Sequence, residues 1–394
     1  MARKSKKTEE EVPVVEEPKE GARPFADAAQ TYTVGSMDDD DFVTFCFLST
    51  GVPAVDLILK GGYPCGVFCQ VYGEDRSGKT LMSLRAAREA LLMDPEAWVL
   101  YIDSEHSITR ELCILNDFEP DQLKRLYVVH TAVLEDTLRW MKTALTGDYS
   151  DFPEGARPPV KALVEQLKRP PALIVWDSVA TAITSNDYEA DPGKQVGYSG
   201  VAKVMPRRLP AIAAYAFHAK VPILLTNQAR ESLDIFDKEM KFSGGKHLRH
   251  THFTRLLLDR YLDKKTNIST HKVQVSKSKL VGDGIQTEFV FAPETGFDYI
   301  DAIINGVALP LGIVTKAGAY YQWRGQSFYL KDALTKLGAQ IKDLVADIRA
   351  ASGIPLLGGR SLDRFIEKRL ASIKEAEDGG GDNEFAEEPG EGAE

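Results

Sequence analysis

Residues 73–80 read Gly-Glu-Asp-Arg-Ser-Gly-Lys-Thr, the G-x-x-x-x-G-K-[ST] pattern of a phosphate-binding loop. The apolar run 67–72 leads in with strand character, and 81–87 leads out as a helix. Such a turn lets main-chain N–H groups wrap phosphates at the positive end of a helix. The core must therefore contain a strand–loop–helix unit, which points to an α/β sheet with crossover helices. Gly73, Glu74, Asp75, Arg76, Ser77 and Gly78 form the cradle. Lys79 reaches the β- and γ-phosphates, and the Thr80 hydroxyl holds Mg²⁺.

The strand-like runs are 67–72, 97–103, 172–177, 221–226, 254–260, 271–276 and 286–292. Helical patterns separate the first four, which predicts a mostly parallel, twisted sheet flanked by helices. The later runs follow closely and read as antiparallel additions at its edge. Two amphipathic helices are expected beyond residue 330. Leu334, Leu337, Ile341, Leu344, Val345 and Ile348 share one face; Leu362, Phe365, Ile366, Leu370 and Ile373 share another.

The length of 394 residues suits two or three domains. No apolar run reaches the ~18 residues of a membrane span. The basic start, Met1 to Lys7, has no apolar segment behind it and is not a secretory signal. Cys46, Cys65, Cys69 and Cys113 form no C-x-x-C; such sparse use fits a reducing cytoplasm, and all four read as buried thiols. The net charge is -10, but nine acids and no basic residue follow Lys374, so the rest of the chain carries about -1. This Gly-rich tail is expected to be disordered. It either solubilises the protein or competes with phosphates for its basic surface. The division expected is a flexible segment at 1–41, an ATPase-like core at 42–300, a small C-terminal α/β or helical module at 301–374, and the acidic tail at 375–394.

Candidate chemistry sits at strand ends. Leu173 to Ser178 is an apolar strand ending in Asp177, placed to orient a Mg²⁺-bound water. Tyr101 to His106 ends another strand in Asp103 and Glu105, and Glu105 can activate an attacking water. Gln228 ends a fourth buried strand, where it can sense a γ-phosphate and switch the segment after it. That segment, about 229–242, reads as a loop and is followed by Ser243 to His250, rich in Gly and basic residues. Arg230, Lys241, Gly244, Gly245 and Lys246 are the DNA candidates there. A second loop, 186–199, carries Lys194 and Tyr198, with Lys203, Arg207 and Arg208 on the helix after it. Two such loops can track a single strand by charge and stacking.

Over 49–352 the chain resembles the bacterial RecA recombinases and their phage relatives. The resemblance rests on Ser49-Thr50-Gly51, the phosphate loop, Ile102 to His106, Val175 to Ala180, Asn227-Gln228 and Gly244-Gly245. It continues in Val275-Ser276-Lys277-Ser278-Lys279, Lys316 to Tyr321 and Arg324-Gly325. It implies a RecA-type P-loop NTPase that uses ATP and Mg²⁺ and assembles as a filament on single-stranded DNA. It further implies pairing with duplex DNA for strand exchange in recombination and repair, in a bacterial or phage-infected cytoplasm. Single-strand-binding or mediator proteins are the expected helpers. Glu105 is then the catalytic acid, with Lys79 and Gln228 beside it. Thr80 and Asp177 serve the metal, and Lys277 and Lys279 reach a neighbour's nucleotide. Thr109 and Leu112 stand where the family has an Asp and a Tyr packing adenine. Phe25-Ala26-Asp27-Ala28 fits a subunit-docking tether, and 31–36 could instead be a strand lent to the adjacent subunit. A hexameric ATP-driven helicase and a non-catalytic nucleotide switch are the rival readings.

Overall fold

The computed structural model describes residues 46–190, 199–230, 241–242, 248, 250–292 and 296–378. The expectations for 1–45 and for the acidic tail from 379 lie outside these residues. An antiparallel ribbon of β1 (Phe47–Leu48) and β2 (Tyr63–Pro64) brackets helix α1 (Pro53–Ile58). The chain then enters β3 (Phe68–Gly73), turns through the phosphate loop and runs into α2 (Lys79–Met93). Next come β4 (Val99–Asp103), β5 (Leu126–His130), α3 (Leu134–Thr146), α4 (Arg157–Leu167), β6 (Leu173–Asp177), α5 (Ser199–Ala219) and β7 (Ile223–Arg230). After β8 (Lys241–Phe242) follow β9 (Thr254–Leu262), β10 (Ser269–Ser278), β11 (Gln286–Ala292) and β12 (Gly296–Phe297).

These strands make one 10-stranded sheet in the order β12-β11-β10-β9-β3-β7-β6-β4-β5, with β8 paired to β7. β5, β4, β6, β7, β3 and β9 run parallel. β10 and β11 add antiparallel at one edge, as the sequence implied, and the short β12 extends them; β9, expected to be antiparallel too, instead runs parallel to β3, because the long connection after β7 brings the chain back to the start of the sheet. β5 was missed because its residues are only partly buried and its apolar run is short.

Strand alternation sorts side chains into two cores, one on each face. Val99 and Tyr101, Leu173 and Val175, and Leu224 face α2. Leu100 and Ile102, Ile174 and Trp176, and Ile223 and Leu225 face α3 and α5. Pro206 and Pro210 lie inside α5. No helix among the described residues is long and apolar enough to cross a membrane.

A three-stranded sheet follows, β13 (Thr315–Ala317), β14 (Tyr320–Trp323) and β15 (Gln326–Phe328). Helices α6 (Ile341–Ser352) and α7 (Gly359–Asp378) complete it. The small sheet was not among the sequence-predicted strands; its strands are too short for a period-2 signal. A buried polar seam joins this end to the phosphate-loop helix. Glu89 of α2 accepts the Arg360 and Ser361 N–H groups at 2.8 and 3.0 Å, so its carboxylate caps the start of α7. Arg85 and Arg88 hydrogen-bond the Tyr299 hydroxyl, and Arg88 also reaches Ser361. Asp56 of α1 accepts from Ser49 Oγ, the Thr50 N–H and Thr50 Oγ1 at 2.6, 2.7 and 2.7 Å, and from the Gly358 N–H at 3.2 Å. The Ser49-Thr50-Gly51 stretch is thus part of this seam.

The thiols differ from expectation. Cys69 and Cys113 are buried, but Cys46 is exposed and Cys65 only half-buried. Their positions just outside the short β1–β2 ribbon leave them off the main core.

Candidate nucleotide site

The loop's shape follows from its glycines. A Cβ on Gly73 would lie 2.2 Å from the Leu258 carbonyl oxygen and 2.6 Å from Ser77 Oγ, so only glycine lets β3 end this close to β9. Gly78 caps α2 at φ 104, in the left-handed half of conformational space. Glu74, Asp75 and Arg76 form the exposed crown of the turn. Lys79 is buried beneath it, and its Nζ donates to the Glu74 carbonyl at 2.6 Å and the Gly73 carbonyl at 3.3 Å. Burial pushes the Lys79 ammonium down, opposed by the charges of Glu105, Asp177 and Asp75. The loop thus encloses a desolvated cation.

Parallel pairing sets the acids beside it. Asp103 of β4 and Asp177 of β6 are register partners at the carboxyl ends of their strands. Asp177 is the hub. It accepts from Thr80 Oγ1 at 2.8 Å, from the Tyr101 hydroxyl at 2.8 Å, and from Thr226 Oγ1. Ser83 Oγ ties Tyr101 back to α2, 2.7 Å from its hydroxyl. Glu105 is exposed on the following turn and accepts from Ser178 Oγ, the residue after Asp177. Asp103 is different: it accepts the Ser107 and Ile108 N–H groups at 3.2 and 3.0 Å and holds the turn that carries Glu105. Gln228 pairs in register with Gly73, which sets it against the mouth of the loop.

Sequence reasoning missed four supports. Tyr101 shares a strand face with Asp103, and Thr226 lies two residues before Gln228; strand parity could have raised both. Ser178 directly follows Asp177. His271 carried no signal, because it reaches the loop from 194 residues away. Its Nδ1 lies 2.8 Å from the Ser77 carbonyl oxygen; a carbonyl only accepts, so Nδ1 carries the proton. The ring stacks on Phe289 at 5.0 Å and 10°. Burial pushes the imidazole pKa down.

The residues present fit a magnesium nucleotide. Ser77 Oγ is buried in the loop without a protein partner, a polar atom suited to a phosphate oxygen. Thr80 and Asp177 supply the oxygen donors that Mg²⁺ favours, the substrate's phosphates being its usual further ligands. Thr109 caps the short helix 110–115, its side chain accepting from the Leu112 N–H at 3.1 Å, so it is engaged in local structure.

Lys277 and Lys279 do not join this cluster. β10 runs antiparallel to β9, so both sit at the end of the sheet away from the phosphate loop. Ser278 pairs with Thr254, which pairs with Cys69, four residues before Gly73; that is about 13 Å of strand. Burial, then Arg255 and Lys279, push the Lys277 ammonium down. Lys279 lies over the Phe253 ring at 5.4 Å. Of the DNA candidates, Lys203 and Arg207 are exposed on α5. Arg230 and Lys241 are register partners across β7 and β8, so the expected loop begins and ends as a two-stranded arm. Lys194, Tyr198, Gly244, Gly245 and Lys246 lie outside the described residues.

Fold and site define a phosphate-loop nucleotide-binding protein built on a mostly parallel sheet. No family model matches the chain. Curated proteins do. The chain is 28% identical over 287 residues to a "Protein RecA" from Nocardioides sp., covering 71% of this chain and 73% of that one. It is 27% identical over 288 residues to one from Streptomyces venezuelae (71% and 68%), and 26% over 305 residues to one from Bacteroides thetaiotaomicron (74% and 82%). A solved structure titled "Crystal structure of the RadB recombinase" matches with a TM-score of 0.45 and 21% identity, over 64% of this chain and 98% of that one. The chain is thus similar to bacterial RecA proteins at 26–28% identity over about seven tenths of its length.

Proposed function

We propose that this protein is a DNA-dependent ATPase that assembles on single-stranded DNA as a helical filament and promotes pairing and strand exchange with homologous duplex. The observation that carries the reading is the contact of Thr80 with Asp177 at the foot of the phosphate loop, with Glu105 held beside them through Ser178. A phosphate binder without catalysis needs the loop alone. Here two strand-end acids converge on it, one fixed by three hydroxyls and one left open to solvent.

In this reading the loop N–H groups and Lys79 hold the β- and γ-phosphates. Mg²⁺, held through Thr80 and oriented by Asp177, neutralises charge on the phosphates when bound. Glu105 accepts the proton of the attacking water, and its place on the turn fixed by Asp103 sets its aim. Gln228, adjacent to Gly73, donates to the γ-phosphate and links it to the β7–β8 arm. Lys277 and Lys279 are too remote for their own chain's nucleotide and serve a neighbour's. Lys203, Arg207 and the β7–β8 arm face the DNA, contacting backbone and bases without reading sequence.

The test is phosphate release with and without single-stranded DNA, joined to strand exchange between a circular single strand and homologous linear duplex. DNA-stimulated hydrolysis with ATP-dependent exchange is expected. Hydrolysis indifferent to DNA and absent exchange would sink the proposal. Rings rather than filaments in electron micrographs with a non-hydrolysable analogue would favour the helicase.

A further inference from the structure

Two of the four cysteines lie opposite each other outside the nucleotide machinery, beside the two-stranded β1–β2 ribbon. Phe47 pairs with Pro64 and Leu48 with Tyr63, so the antiparallel register carries on to set Cys46 opposite Cys65. The Cys65 N–H donates to the Cys46 carbonyl oxygen at 2.8 Å, which continues the ladder by one residue. Directly opposed residues in a hydrogen-bonded antiparallel pair have Cα atoms ~5.5 Å apart, inside the ~4.4–6.8 Å that a disulfide spans. Opposed residues also project to the same face.

We propose that Cys46 and Cys65 form a reversible dithiol–disulfide pair, with Cys46 the attacking thiol and Cys65 the resolving one, that exchanges with small-molecule disulfides of the glutathione type.

Access assigns the roles. Cys46 is exposed and can meet a soluble disulfide, whereas Cys65 is half-buried. Charge agrees. The Cys65 thiol and then the Lys220 ammonium stabilise the Cys46 thiolate, and its pKa comes down to about 7. Cys65 moves the other way, raised first by the neighbouring Cys46 and then by burial. In the first step the Cys46 thiolate attacks one sulfur of oxidised glutathione. A mixed disulfide forms at Cys46 and one glutathione thiolate leaves. In the second step Cys65 gives its proton to solvent and attacks the Cys46 sulfur, which expels the second glutathione thiolate. Two protein thiols are oxidised and one glutathione disulfide is reduced to two thiols, so atoms and electrons balance.

The bond staples the residue just before β1 to the segment that runs into β3 and the phosphate loop. That segment has little slack. A Cβ on Gly66, at φ 77, would lie 3.1 Å from the Phe217 Cα in α5. The pair therefore closes on a site already held in register.

The experiment treats the full-length protein with oxidised glutathione at neutral pH and maps peptides without reduction. Wild type is expected to lose two hydrogens in a Cys46–Cys65 link, reversed by reduced glutathione. Cys65→Ser is expected to stop at a stable glutathione adduct on Cys46. Cys46→Ser is expected to give neither product, with Cys69 and Cys113 unmodified in both variants. Thiolate fraction weighed against nucleophilicity makes Cys46 about fivefold faster at pH 7 than an unperturbed exposed thiol. Circular dichroism establishes that each variant is folded. Modification of Cys46 no faster than that of Cys69 or Cys113 would overturn the proposal. So would an adduct in wild type as stable as in Cys65→Ser.

Discussion

Replacing Gly78 with alanine asks how the phosphate loop is held. A Cβ at this position would lie 2.5 Å from His271 Nδ1 and 2.8 Å from its Cε1. The ring has nowhere to go, because it is stacked on Phe289 and donates to the Ser77 carbonyl. Backbone strain at φ 104 costs ~1–3 kcal/mol, and forcing a methyl into a packed ring costs a further ~1–3. Gly78→Ala should therefore destabilise by about 4 kcal/mol in total. His271→Ala removes the obstruction at its own cost of ~2–4 kcal/mol for the cavity and the lost hydrogen bond. In the double variant only the backbone strain of the first change remains. Its loss should fall short of the sum of the singles by ~1–3 kcal/mol. Urea denaturation of the four proteins measures this, and nucleotide affinity should follow the same pattern. Additivity within ~0.5 kcal/mol would show that the His271 ring does not obstruct a side chain at position 78.

Glu105→Gln should leave ATP affinity within about threefold of wild type and slow hydrolysis ~10²–10⁴-fold; unchanged turnover removes Glu105 from the mechanism. His252 is fully buried, and desolvation, then Arg255 and Lys277, bring its pKa down to about 3. A base so lowered contributes stability that is present above about pH 6.5 and lost as pH falls, amounting to ~2 kcal/mol by pH 5. His252→Leu should flatten that acid slope in denaturant titrations, and an unaltered slope contradicts the assignment. Mixing Lys79→Ala with Lys277→Ala/Lys279→Ala should restore a fraction of the ATPase that neither variant has alone. No recovery on mixing refutes the assignment in trans.

Much of the architecture was legible because the strands are apolar, bounded and separated by helical patterns. Asp177 and Glu105 could be singled out since each ends such a run, and a strand end in an α/β sheet faces the ligand crevice. What the sequence concealed were contacts made by parity and distance. Nothing about Tyr101 or Thr226 in isolation says that their hydroxyls meet on one carboxylate; that follows from parallel pairing of β4, β6 and β7. His271 is a ring in a strand until the sheet order sets it under Ser77. The thiols were misjudged for a related reason. Burial was inferred from residue type, whereas a two-residue ribbon at the margin of the fold leaves Cys46 in solvent.

The direction of β10 has the widest reach. Had it joined β9 in parallel, Lys277 and Lys279 would have ended beside the phosphate loop, and one chain would carry a complete cationic set. Antiparallel pairing sends them to the other end of the sheet. Among the described residues Lys79 is then the ammonium held in the phosphate loop, and under the proposed function Lys277 and Lys279 of another subunit supply further positive charge. Under the proposed function, hydrolysis is therefore a property of the junction between subunits. Its rate should rise with protein concentration more steeply than first order until the polymer is complete, and a strictly linear dependence from the lowest concentrations would place the whole reaction within a single chain.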